Sequence, residues 1–158
     1  MTTPLESFRA LVLETAPLVA NAQALVRLDD DAWLMVFADE AGVEFHVNEQ
    51  LRKTVLCMSL GPPEETQRAA VYHMVLVMSG LWRETGGLRF ALEEPEGAIE
   101  MCLDLNLDDL DPQKLDTLVQ SFADRGRVWQ DLIAAGQVQT EPPQECCDNR
   151  NPDWMMRV

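Results

Sequence analysis

The period of apolar and polar positions changes along the chain, and each change predicts an element. Leu5, Phe8, Leu11, Val12 and Thr15 recur at helical spacing, with Arg9 and Glu14 on the other face. Thr3 supplies a cap, Pro4 suits the first helical position and Glu6 completes a capping box, so a first helix starts cleanly and Pro17 stops it. The period then drops to two. Ala32–Asp39 ("AWLMVFAD") is apolar on both faces, as a central strand is. Val43–Asn48 ("VEFHVN") alternates, as a strand with one wet face does, and Thr54–Leu60 ("TVLCMSL") is again apolar throughout. An Ala41-Gly42 turn and otherwise short connections predict an antiparallel meander.

Gly61-Pro62-Pro63 breaks the chain, and Glu64 and Glu65 read as the acidic first turn of a second helix over Ala69–Trp82, closed off by Gly86-Gly87. Two more strands follow, Leu88–Leu92 and Ala98–Leu107, joined by "EEPEG". In the latter, Ile99, Met101, Leu103, Leu105 and Leu107 face one way; Glu100, Cys102, Asp104, Asn106 and Asp108 face the other. Asp111 caps a last helix with Pro112 at its first position. Its stripe is Leu115, Leu118, Val119, Phe122, Trp129, Leu132 and Ile133, and Gly136 closes it. The predicted architecture is α+β: one antiparallel twisted sheet with three helices in the order α-β-β-β-α-β-β-α. It occupies residues 1–136, and a polar, proline-bearing tail over 137–158 is expected to be flexible.

The second helix poses a problem of coverage. A helix on one sheet face needs an apolar stripe of about 100°. Val71, Tyr72, Met74, Val75, Leu76, Val77 and Met78 surround nearly the whole circumference, interrupted by His73 and Ser79. The sheet supplies one cover. A second copy of the chain supplies the other most economically, since two-fold dimers are the commonest oligomers. The alternative is burial within one subunit, between the sheet and the last helix.

Composition narrows the function classes. With 158 residues the chain fits one domain with a real core. Its 12 basic against 27 acidic residues leave a net charge of −15, which repels nucleic acid and anionic lipid and suits a basic or neutral partner. No apolar run is long enough for membrane insertion, and the N-terminus does not read as a secretory signal. Four cysteines without paired spacing, two of them the adjacent Cys146 and Cys147, point to a reducing compartment, the cytoplasm by default.

Chemistry finds little support. Glu93, Glu94, Glu96 and Glu100 read as a solvated turn and strand face, not a shielded acid/base pair. Asp104, Asn106 and Asp108 resemble a calcium loop, but Asp109 stands where its glycine belongs and Leu115 where its closing glutamate belongs. His46 and His73 lack partners at ligand spacing, and Cys57 and Cys102 read as small core or strand residues. No phosphate loop and no nucleophile grouping emerges. A non-enzymatic binding protein without metal or cofactor is the expectation. A small enzyme, or an adaptor or regulator that binds a folded partner, remains the alternative.

The stretch Leu81–Ile133, "LWRETGGLRFALEEPEGAIEMCLDLNLDDLDPQKLDTLVQSFADRGRVWQDLI", resembles the second half of class I type III secretion chaperones, the family of the Tir chaperone. The shared pattern is a helix ending in Leu-Trp, a Gly-Gly turn, a strand pair, an acidic Asp-Asp and a proline-started helix. Element order, size and acidity of residues 1–136 match as well. The resemblance implies a cytoplasmic homodimer in a Gram-negative bacterium. Such a dimer binds the extended N-terminal segment of a secreted effector and keeps it secretion-competent, with the secretion ATPase as a possible further partner. By position it implies a dimer interface of Val71, Met74, Val75, Met78 and Trp82, with Leu88 and Phe90 on the neighbouring strand. It implies an effector groove of Leu5, Phe8, Leu11 and Val12 on the first helix over Trp33, Met35, Phe37, Val43 and Phe45 of the sheet. A core stripe would look the same in sequence. The tail, with Trp154, Met155 and Met156, matches no pattern of the family.

Overall fold

The structure, a computed structural model, describes residues 3–93 and 97–135. Helix α1 (Pro4–Thr15) carries the expected capping box: Glu6 N–H donates to Thr3 Oγ1 at 3.1 Å, and Thr3 N–H donates to Glu6 Oε2 at 2.9 Å. Strands β1 (Ala22–Arg27), β2 (Ala32–Phe37), β3 (Gly42–Asn48) and β4 (Lys53–Gly61) follow, then helix α2 (Arg68–Gly80). Strands β5 (Arg89–Glu93) and β6 (Ala98–Asn106), a 3-10 turn over Leu107–Asp109 and helix α3 (Pro112–Ala134) complete the described fold. The sheet is antiparallel throughout, in the order β1-β2-β3-β4-β6-β5.

The expected α+β class, the three helices and the meander are all present. One strand, β1, was not expected. It pairs with β2 and forms one edge of the sheet, entered through Asn21 at φ 63° and bulged between Ala22 and Ala24. Three local expectations are corrected. The β2–β3 turn centres on Glu40, whose φ is 64°, while Gly42 already pairs with Val36 inside the ladder. Helix α2 begins only at Arg68, so Glu64 and Glu65 lie ahead of it and its first turn holds no acid. It ends at Gly80, so Trp82 lies beyond it. The expected closing Gly136, the turn residues Glu94 and Glu96, and the tail with its cysteine pair and Trp154 lie outside the described residues.

The core forms on one face of the sheet. Met35, Phe37, Val43, Phe45, Leu56, Met58, Ile99 and Met101 point there and are buried, met by Phe8 and Val12 of α1 and by Leu115, Val119, Phe122 and Ile133 of α3. Gly126 lets α3 settle on β4: a Cβ at this position would stand 2.2 Å from Met58 Sδ. Helix α2 contributes Val71 and Val75 to the same core and flanks the far edge of the sheet. There the Phe90 N–H of β5 donates to Ser79 Oγ at 3.0 Å, and Tyr72 donates its hydroxyl to the Gly97 carbonyl at 2.9 Å. One sheet edge is thus met by a helix side chain, and the other, β1, has among the described residues a strand partner on one side alone.

Candidate docking surfaces

Three surface features stand out among the described residues. The first is the outer side of α2. Val71 and Val75 are buried, and Tyr72, Met74 and Met78 are half-buried, but Leu76 is 70% and Val77 51% exposed. Just past the helix Leu81 and Trp82 are exposed too, with the Arg83 guanidinium 5.1 Å from the Trp82 ring centre. The described residues therefore cover only one side of this helix. The residues expected at a dimer interface divide accordingly. Val71, Val75 and Leu88 are core, Met74, Met78 and Phe90 are half-buried, and Trp82 is exposed. Phe90 packs edge-on against Trp129 of α3, with ring centres 4.8 Å apart. Leu76 and Val77, the most open apolar residues of α2, belong to the apolar circumference read from the sequence but were not singled out there as contacts.

The second feature is an open cleft of about 450 Å³ between α1 and the end of β6. Leu11, Leu107 and Leu110 give it apolar lining, and the Arg52–Asp108 ion pair closes one side. That pair raises the pKa of Arg52 and lowers that of Asp108, each by hydrogen bonding to the other. Of the nine residues expected to form an effector groove, only Leu5 and Leu11 are partly open. Phe8, Val12, Trp33, Met35, Phe37, Val43 and Phe45 are all under 5% exposed. Their packing is internal: the Phe8 ring meets Trp33 at 5.6 Å and Phe45 at 6.2 Å. As contacts of the folded subunit these seven are core: Phe8 and Val12 reach the sheet from α1, and α3 covers the rest of the same face, with the Arg127 guanidinium 5.0 Å from the Phe37 ring centre. Leu13 of α1 and Val26 and Leu28 at the β1 edge are exposed apolar residues outside the expected groove. Leu25-Val26 ahead of the Asp29-Asp30-Asp31 turn was the available hairpin signal.

The third feature lies on the sheet face opposite the core. Strand register sets Glu44, Cys57, Cys102 and Arg89 side by side across β3, β4, β6 and β5. Glu44, His46, Arg89 and Asp104 on this face are 41–47% exposed, paired as His46 Nε2 with Glu44 Oε2 at 2.9 Å and Arg89 with Asp104 at 2.6 Å. Between them the two cysteine sulfurs lie 3.8 Å apart, and Glu100 Oε2 lies 3.6 Å from Cys102 Sγ. Both cysteines are unbridged. The hydrogen bond between the thiols pushes Cys57 up and holds Cys102 down. The sequence had placed Glu100 and Cys102 on one strand face, but only the β4–β6 register brings Cys57 to them. His73 stays exposed on α2, apart from this group.

A small one-sheet domain whose described residues leave an apolar helix face, a strand edge and a cleft uncovered is a protein-binding module in outline. The model of the Tir chaperone protein (CesT) family matches residues 9–130, and the chain belongs to that family. Among solved structures, a chain of the ExsC–ExsE complex superposes with a TM-score of 0.66 at 14% identity, over 84% of this chain and 97% of that one. A chain of the HopA1–SchA chaperone–effector complex gives 0.63 at 14% identity, over 80% and 95%. The Yersinia pestis type III secretion chaperone SycH, in complex with a fragment of YscM2, gives 0.51 at 15% identity, over 80% and 99%. At such identities the likeness is one of fold. No curated protein matches the sequence.

Proposed function

We propose that this protein is a type III secretion chaperone. It works as a homodimer in the bacterial cytoplasm, where it binds the N-terminal segment of a secreted effector and keeps that segment soluble and secretion-competent, without catalysis. Membership of the Tir chaperone family carries this reading. The uncovered side of α2 fits the dimer contact, with Leu76, Val77 and Trp82 added to Met74 and Met78. The effector takes the remaining open features: the cleft lined by Leu11, Leu107 and Leu110, and the β1 edge, where an extended segment gains affinity from backbone hydrogen bonds and selectivity from side-chain pockets. Ordering such a segment consumes part of the contact free energy, which leaves a wrapped effector releasable. The acidic surface favours segments bearing basic residues. No helix of the described residues is long and apolar enough to cross a membrane.

The test is a tagged pull-down from cytosol of the host with secretion induced. Captured proteins are identified by mass spectrometry and their protected regions mapped by limited proteolysis. Secreted proteins held through a protease-resistant stretch near their N-termini are the expected result. Capture of a folded cytosolic partner alone would replace the chaperone with an adaptor.

A further inference from the structure

We propose that Cys57, Cys102 and Glu100 form a binding site for a thiophilic divalent cation of the zinc class on the face of the sheet away from the core. Zinc binds thiolate sulfur at about 2.3 Å and carboxylate oxygen at about 2.1 Å, with tetrahedral angles. Two thiolates on one such ion stand roughly 3.8 Å apart, and a thiolate and a carboxylate oxygen roughly 3.6 Å apart. The Cys57 and Cys102 sulfurs are separated by 3.8 Å, and Cys102 Sγ and Glu100 Oε2 by 3.6 Å. All three donor atoms lie within 4.8 Å of one another. Two of the three ligand distances of a tetrahedral ion are therefore present, and the third, from Cys57 Sγ to the Glu100 carboxylate, is within reach of a side-chain rotation.

The scaffold holding these donors is rigid. Cys57 and Cys102 are direct partners in the β4–β6 ladder, 45 residues apart in sequence but fixed by pairing that runs the length of both strands. Glu100 precedes Cys102 by two residues, so strand alternation keeps it on the same face. Donors carried on paired strands are held more precisely than donors on loops.

Charge and access agree with a cation. Binding releases two thiol protons and forms two sulfur–metal bonds. Two thiolates and one carboxylate then face the divalent ion, with the Arg89 guanidinium, register neighbour of Cys102 and ion-paired with Asp104, beside them. Cys57 and Glu100 line a depression on the surface together with Glu44, which stands opposite Cys57 on β3. The fourth position faces this depression, open to water or to the Glu44 carboxylate. Soft sulfur donors select zinc-like ions over magnesium or calcium, which prefer all-oxygen sites.

The probe is cobalt(II), titrated into the full-length protein, metal-free and kept reduced with a phosphine. A tetrahedral thiolate site gives an intense near-ultraviolet sulfur-to-cobalt band together with visible d–d bands. The expected result is saturation at one cobalt per chain with bleaching on addition of zinc. The signal should persist in Cys146→Ser/Cys147→Ser and vanish in Cys57→Ser/Cys102→Ser. Glu100→Gln, a half-exposed position whose change leaves the core untouched, should weaken binding ~10-fold or more. Loss of the band with the tail pair, its survival in Cys57→Ser/Cys102→Ser or in Glu100→Gln at full affinity, or its complete absence would overturn the site. So would a reduced protein that merely forms a Cys57–Cys102 disulfide in air and takes up no metal. Circular dichroism accompanies each variant. Should the double serine variant fail to fold, Glu100→Gln and the tail variant still decide the matter.

Discussion

Phe8 shows how one residue separates packing from recognition. Its ring sits between Trp33 and Phe45 and is 1% exposed. Phe8→Ala should cost about 3–5 kcal/mol, read as a lowered urea midpoint, because it leaves a cavity under α1. Leu11, half-buried at the cleft, is the better probe of binding: Leu11→Asp should weaken effector capture while the urea midpoint moves little. Unchanged capture would remove the cleft from the docking surface. The sequence identified both residues as one stripe. It left open which of them is core, since that depends on how closely α1 settles on the sheet. Asp39 supplies a second residue-scale expectation. Arg127 donates to its carboxylate at 2.5 and 3.2 Å and holds its pKa at about 2, against an ordinary 3.8. The folded value is the lower one, so this contribution to stability is present above the ordinary value and disappears as pH falls toward about 2. Asp39→Asn should therefore lose stability at neutral pH and show a shallower acid limb in thermal melts at stepped pH; an acid limb identical to that of the native chain would dismiss the pair as a stabilising contact.

At the scale of elements, periodicity located three helices and five strands, and register did the rest. The alternation of β6 and the capped start of α3 were readable because each is a local pattern. β1 was not, because its edge position leaves it a burial pattern of short half-buried and exposed runs with no clean period, and because its pairing with β2 is a tertiary fact. The Cys57–Cys102 pairing was hidden for the same reason: no spacing along the chain encodes that residues 57 and 102 oppose each other. Helix α3 carries a prediction at this scale. Gly126 is the point where its backbone approaches Met58 and Met101, both fully buried. Gly126→Leu should overpack this contact and cost about 1–3 kcal/mol, outweighing the ~1 kcal/mol gained in helix propensity. Val128→Leu, on the exposed side of the same helix, should be close to neutral, and scanning calorimetry of the two variants beside the native chain checks both.

For the whole molecule, the open question posed by α2 has a direct readout. Leu76→Asp/Val77→Asp places charge on the exposed side of the helix without touching Val71 or Val75. Light scattering should report a dimer for the native chain and a folded monomer for the variant; a dimer in both would move the interface elsewhere. The position of α2 beside β5 has a geometric consequence. β5 and β1 are opposite edges of the sheet, so joining two subunits through α2 sends their β1 edges to the far ends of the assembly. Strands ~4.8 Å apart and two helices ~10 Å thick put those ends roughly 70 Å from each other, a distance an extended chain covers with about 20 residues. The dimer would then act as a ruler. Client peptides longer than that should bind one per dimer and bridge both ends, and shorter ones two per dimer, a change of stoichiometry that native mass spectrometry on a series of truncated peptides would show directly.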